Sequence, residues 1–120
     1  SLPNNSSADC QNLQILVAEI DLDLEFEVFK NFTECSPNGA GGGRMQSYNF
    51  LGKEGILITT SSTQQDGPDK HSQSDNSIFG KILLLDLQTK EYEIFSKGHR
   101  NAQGLAVKGN IILSTEVYKI

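Results

Sequence analysis

Apolar and polar residues alternate with a period of two along most of this chain, and that period predicts strands. Residues 13–20 (Leu-Gln-Ile-Leu-Val-Ala-Glu-Ile) read as a first strand, Asp21-Leu22-Asp23 as a turn, and 24–29 (Leu-Glu-Phe-Glu-Val-Phe) as a second strand. Together they predict a hairpin with Glu25 and Glu27 on its wet face. Residues 36–43, with four glycines and a proline, predict a loop without regular structure. Further strands are expected over 45–50 and 55–60, joined by a turn at Gly52-Lys53-Glu54. Strands resume at 78–87, 92–95, 105–107 and 111–114, with hairpin turns at Gln88-Thr89-Lys90 and Lys108-Gly109-Asn110. No apolar stripe of helical period extends beyond one turn.

Eight short strands at this spacing predict an all-β fold with antiparallel pairing. The pattern fits either a β-sandwich or the four-stranded blades of a β-propeller, whose repeat is about 40–45 residues. An internal echo bears on this: Gly-Ile-Leu-Ile-Thr-Thr at 55–60 returns as Asn-Ile-Ile-Leu-Ser-Thr at 110–115, each after a strand-and-turn unit. Residues 61–76 contain no large apolar side chain. A polar loop of that length is uncommon in a compact domain and is either functional or unstructured.

The bulk numbers set limits on function. The chain has 120 residues, 37% hydrophobic and 21% charged, enough for one domain with a core. Its net charge of −5, with ten scattered Lys and Arg, argues against nucleic-acid binding, which needs a basic face. No apolar run is long enough to span a bilayer. The polar start, Ser1-Leu2-Pro3-Asn4-Asn5-Ser6-Ser7, reads as a mature end whose leader is gone. Cys10 and Cys35 are either a disulfide that closes a loop or two separate buried thiols, and no Cys/His spacing suggests zinc. Asn4, Asn5 and Asn31 begin short glycosylation sequons of the kind that also arise by chance.

The densest polar cluster is Gly-His-Arg-Asn-Ala-Gln-Gly at 98–104, between an alternating strand and two short apolar runs. Such a cluster at the mouth of a sheet is where a β protein presents side chains to a ligand. Arg100 offers a planar fork of donors, and the Asn101 amide both donates and accepts. The plainer reading is an ordinary turn with a solvated arginine. His71 reads as a solvated loop histidine, and Asp66, Asp69 and Asp75 as loop solvation, because they miss the spacing of a calcium loop. No Ser/His/Asp motif or phosphate loop is recognisable, and the glycines at 39–43 do not open a helix.

Three stretches resemble the glucose/sorbosone dehydrogenase family of soluble sugar dehydrogenases dependent on pyrroloquinoline quinone (PQQ). They are Phe-Gly-Lys-Ile-Leu-Leu-Leu-Asp-Leu at 79–87, Gly-His-Arg-Asn-Ala-Gln-Gly-Leu at 98–105, and Ser-Thr-Glu at 114–116. The resemblance spans roughly 36–116 and is specific chiefly over 79–105. It implies antiparallel four-stranded blades of a six-bladed β-propeller, of which this chain would be an incomplete two-to-three-blade portion. In that frame 1–35 form an N-terminal hairpin region and 36–120 the blades. The family members are periplasmic or secreted and take PQQ, calcium and a small-molecule sugar. Arg100 and Asn101 match the positions that contact the cofactor, and His99 is expected to orient the turn.

Two departures stand out. Ala40 occupies the position matching the family's base histidine, in the run Ala-Gly-Gly-Gly-Arg at 40–44, and alanine cannot accept a proton. Val117 follows Glu116 where the family continues into a calcium-binding turn. The expectation is therefore a dehydrogenase-like chain, a fragment or catalytically impaired, with no catalytic residue assigned. The alternative is a non-catalytic propeller module for binding or structure, with a homo-oligomer by blade or strand packing as a way to cover exposed faces.

Overall fold

A computed structural model describes residues 10–36, 41–61, 74–99 and 102–116. Strand accounts for 68% of these residues, and none of them is helical. Thus no helix among the described residues is long and apolar enough to cross a membrane. The strands are β1 (Gln11–Ala18), β2 (Phe26–Ser36), β3 (Gly42–Phe50), β4 (Lys53–Thr60), β5 (Lys81–Asp86), β6 (Tyr92–Lys97), β7 (Ala102–Lys108) and β8 (Ile111–Glu116). All pairs are antiparallel. The chain divides into two compact units, Ser1–Gly39 and Ala40–Ile120.

The N-terminal unit is the β1–β2 hairpin. Its turn forms because the Asp21 carboxylate accepts the backbone N–H groups of Asp23 (3.0 Å) and Leu24 (2.8 Å). Its open end is closed by a Cys10–Cys35 disulfide with Cα atoms 5.5 Å apart. Beside it, Asn31 Oδ1 accepts from Asn12 Nδ2 (2.6 Å) and Gln14 Nε2 (3.0 Å). Ile15 and Phe32 are the only buried large apolar side chains among its described residues. A two-stranded hairpin is marginal alone. The disulfide, across a separation of 25 residues, contributes about 3–4 kcal/mol through unfolded-state entropy.

The C-terminal unit has a four-stranded sheet in sequential order, β3-β4-β5-β6, and a β7–β8 hairpin. Register sets Leu57 opposite Leu84 and Ile58 opposite Leu83. Leu57, Ile82 and Leu84 form one buried cluster, against which Tyr48, Leu105, Val107 and Ile112 pack. Ile58, Leu83 and Leu85, which alternate with them, are buried as well. Both faces of β4 and β5 are therefore dry. This accounts for an unbroken Ile-Leu-Leu-Leu run where a half-solvated antiparallel strand would alternate.

The expected strands all form, with shifted ends. β2 runs on to Ser36, and Ile78 and Phe79 are buried in the turn before β5, not in the strand. Glu25 and Glu27 are exposed, and so are Leu24, Phe26 and Val28, so this segment has no dry face to set against its wet one. The glycine-rich loop expected over 36–43 ends earlier than foreseen, because Gly42 and Gly43 belong to β3. They enter the strand through a register shift between Gly42 and Met45. Gly42 has φ +89°, and a Cβ there would lie 2.6 Å from Thr59 O and 2.7 Å from Thr60 Cα. Gly43 is also left-handed, at φ +94°, yet a Cβ there would meet nothing within 4 Å.

This contrast separates steric from conformational cost. Gly43→Ala should cost about 1 kcal/mol of backbone strain, and Gly42→Ala about 2–4 kcal/mol, because backbone on the neighbouring strand must also move. Urea unfolding of the two variants measures the difference.

The β5–β6 turn yields a pH prediction. Asp86 accepts the backbone N–H groups of Gln88 (2.8 Å) and Thr89 (3.2 Å). These bonds, Gln88 first, hold its carboxyl below the ordinary aspartate value; Lys53 adds to the effect and desolvation opposes it. A depressed folded value means the stabilisation is fully present above the unfolded pKa of about 3.9 and is lost as pH falls through the folded one. Asp86→Ala should therefore lower the urea midpoint at pH 7 and 5, with the gap from wild type shrinking below about pH 4.

Candidate functional site

One end of the four-stranded sheet gathers the starts of β3 and β5 and the ends of β4 and β6. Its backbone is tied across strands by short side chains. Thr59 Oγ1 accepts from Arg44 N at 3.1 Å, and Thr60 Oγ1 accepts from Lys81 N at 2.9 Å while donating to Ile78 O at 2.5 Å. Ser61 N donates to Gly41 O at 3.1 Å. Thr59, Thr60 and Ser61 are buried, so these bonds form away from competing water. Lys81 is fully buried, and its Nζ donates to Phe79 O at 2.8 Å. A lysine beside an apolar run gives no sequence signal that it will be buried.

His99 joins three segments. Its backbone N–H donates to Gly80 O at 3.0 Å. Its Nδ1 lies 2.7 Å from Glu116 Oε2, and its Nε2 lies 2.7 Å from Ser96 Oγ. Ser114 Oγ adds a weaker bond to the same Glu116 oxygen at 3.3 Å. The side chains of His99 and Glu116 are only 16% and 15% exposed. With Glu116 ionised, Nδ1 is the donor, and a neutral ring then accepts from the Ser96 hydroxyl at Nε2; the tautomer follows from the bonding network.

The sequence contains no recognisable Ser/His/acid motif, yet folding brings Ser96, His99 and Glu116 into one hydrogen-bonded chain. Separations of three and seventeen residues give no signature, because the β7–β8 hairpin must first carry Glu116 back to the β6 end. The connectivity is that of a proton relay. A hydrolytic nucleophile additionally needs donors about 3 Å from the developing oxyanion, and the nearby His99 N–H is already committed to Gly80 O. The arrangement holds the ring and its backbone in place.

Arg44 reaches from β3 to β7, with Nε donating to Gln103 O at 3.2 Å. Between them lies an open cleft of about 390 Å³, lined by Gly42, Gly43, Arg44, Met45, Ala102 and Gln103. Arg100 and Asn101 lie outside the described residues, as do Ala40, Asp66, Asp69, His71 and Val117. The neighbours of the Arg-Asn pair in sequence, His99 and Ala102, both belong to this end of the sheet. Asp75 pairs with Lys97 at 3.0 Å, where both side chains are exposed, so the bridge is worth well under about 1 kcal/mol. Among the described residues, no three His, Cys, Asp or Glu side chains are grouped to hold a metal ion.

If His99 is the pin of this end, its coupling to Glu116 is measurable. A double-mutant cycle of His99→Ala and Glu116→Ala in urea unfolding should return a coupling of about 1–3 kcal/mol, as expected for a charge-assisted bond away from water. Either single variant should also speed hydrogen exchange at the His99 amide, while the mid-strand amides of β4 and β5 keep their protection.

No family model, curated protein or solved structure matches this chain.

Proposed function

We propose that residues 36–120 belong to a PQQ-dependent aldose dehydrogenase-like propeller, and that they bind the cofactor at the sheet end marked by His99 while being impaired for sugar oxidation. The observation that carries this reading is the bonding of His99 to Gly80 and Glu116, which are 36 residues apart. The three stretches that resemble the family are thereby tied at one point, although nothing in their sequence separation requires it. The sheet order β3-β4-β5-β6, with a further hairpin packed on its face, is what one blade and the start of the next provide.

The residues suit PQQ in charge and in space. Its carboxylates call for cations, which Arg44 and Arg100 supply. The cleft of about 390 Å³ falls within the range of small-ligand sites, and Gly42 and Gly43 leave one wall without side chains. When bound, PQQ supplies a quinone that accepts hydride. Arg100 would hold and polarise an oxygen with its planar fork, and Asn101 would donate from its amide. His99, pinned at both ring nitrogens, fixes the backbone that precedes Arg100. Calcium is left out of this reading, because Val117 stands where the family continues into its calcium-binding turn. At Ala40 no group can take the proton from a sugar hydroxyl, a loss of about 10²–10⁴-fold in rate for a positioned base.

Ala40 also favours a second reading, a propeller module that binds or supports without chemistry. Titration with PQQ, followed by its absorbance, distinguishes the two. On the first reading the chain shifts the PQQ spectrum and Arg100→Ala weakens binding at least tenfold. Dye reduction with glucose is then negligible in the wild type and rises in Ala40→His. A folded chain that leaves the PQQ spectrum unchanged overturns the first reading and leaves the second.

A further inference from the structure

We infer that the β1–β2 hairpin is a docking arm for a basic protein surface with an apolar centre. The hairpin precedes the segment that carries the resemblance, so the cofactor reading does not account for it. Its register pairs Leu16 with Val28 and Ala18 with Phe26. Pleating places these two cross-strand pairs on one face, and Val17 with Glu27 on the other. That apolar face is open: Leu16 is 51% exposed, Val28 52% and Phe26 62%. At the tip, Ile20 and Leu22 are fully exposed. Isolated exposed apolar side chains need no explanation, but a cross-strand cluster continuous with an apolar tip does.

Charge identifies the occupant. Glu19, Asp21, Asp23, Glu25 and Glu27 alternate with the apolar residues, and no Lys or Arg occurs before Lys30. Residues 1–29 carry six Asp and Glu, whereas 30–120 carry nine against ten Lys and Arg. The negative balance of the whole chain therefore resides in its first 29 residues. A second copy would bring five more carboxylates against these five, and an anionic membrane or nucleic acid would be repelled likewise. A Lys- or Arg-rimmed apolar patch satisfies both the exposed face and the charge. With charge selecting the partner on a solvent-exposed ribbon, the association is salt-sensitive.

The test uses the oxidised 120-residue chain and a labelled nine-residue peptide of alternating Lys and Val, followed by anisotropy and amide shifts. The peptide should bind at 50 mM salt, weaken at least fivefold at 300 mM, and shift amides over 16–28. A Glu/Val peptide should not bind. Phe26→Ser combined with Val28→Ser should weaken binding at least tenfold. Both positions are exposed, so the fold should persist, which the intact disulfide and unchanged amide shifts over 11–14 and 31–35 will verify. Equal binding by the double variant, equal binding of the Glu/Val peptide, or tighter association with neutral phosphatidylcholine vesicles would each overturn the inference. A dimer dissociated by Phe26→Ser would assign the face to a second copy and overturn it too.

Discussion

Burial of β4 and β5 on both faces is the constraint from which the C-terminal unit follows. Two strands with dry faces on either side cannot offer polar side chains to solvent except at their ends. Polar groups near them must then be satisfied internally, which Thr59, Thr60 and Ser61 achieve by bonding backbone across to β3 and to the segment preceding β5. The same constraint pushes distinctive polar chemistry to the sheet end. There the strands stop, the connection after β6 carries His99, and the first residues of β3 carry Arg44. Gly42 belongs to this logic: β3 approaches Thr59 and Thr60 so closely that the crossing point has no room for a side chain.

His99 converts a sheet end into a defined site. A ring held at one nitrogen can still swing, but one held at both by Ser96 and Glu116 has a fixed plane. Its backbone is fixed separately through Gly80. The two anchors act at different levels, one on the side chain and one on the main chain, so their combined effect is to immobilise the residue immediately before Arg100. Arg44 acts in a complementary way from β3, fastening the residue that follows Ala102 by its carbonyl.

Much of the architecture was legible because β structure writes itself locally. Turn signals at Gln88-Thr89-Lys90 and at Lys108-Gly109-Asn110 lie where hairpins form. The failures have local causes. Gly42 and Gly43 read as loop because positive φ and the lack of a side chain are turn signals, whereas here they serve a bulged, crowded strand entry. The start of β5 is not marked in the sequence, because Ile78 and Phe79 are as apolar as the strand itself. At this end of the sheet, the polar run at 98–104 is visible in the sequence, while Arg100 and Asn101 lie outside the described residues. The sequence could not supply Ser96 or Glu116, since their roles depend on how β6 and β8 end in space. Lys81 was equally invisible: a charged residue reads as solvated unless its partners are known.

The two units solve the problem of small size by different means, and this bears on what each can do. Within 40–120, stability comes from apolar burial, so its exposed residues are what the core leaves over. Among the described residues of 1–39, only Ile15 and Phe32 are buried large apolar side chains, and a covalent bond at the base takes the place of a core. A hairpin closed by a disulfide does not have to turn Leu16, Phe26 and Val28 inward to persist. Its apolar face is thus released from folding and free to serve contact. The alternating carboxylates on the same ribbon keep that face soluble and decide, by sign, which surfaces can approach it.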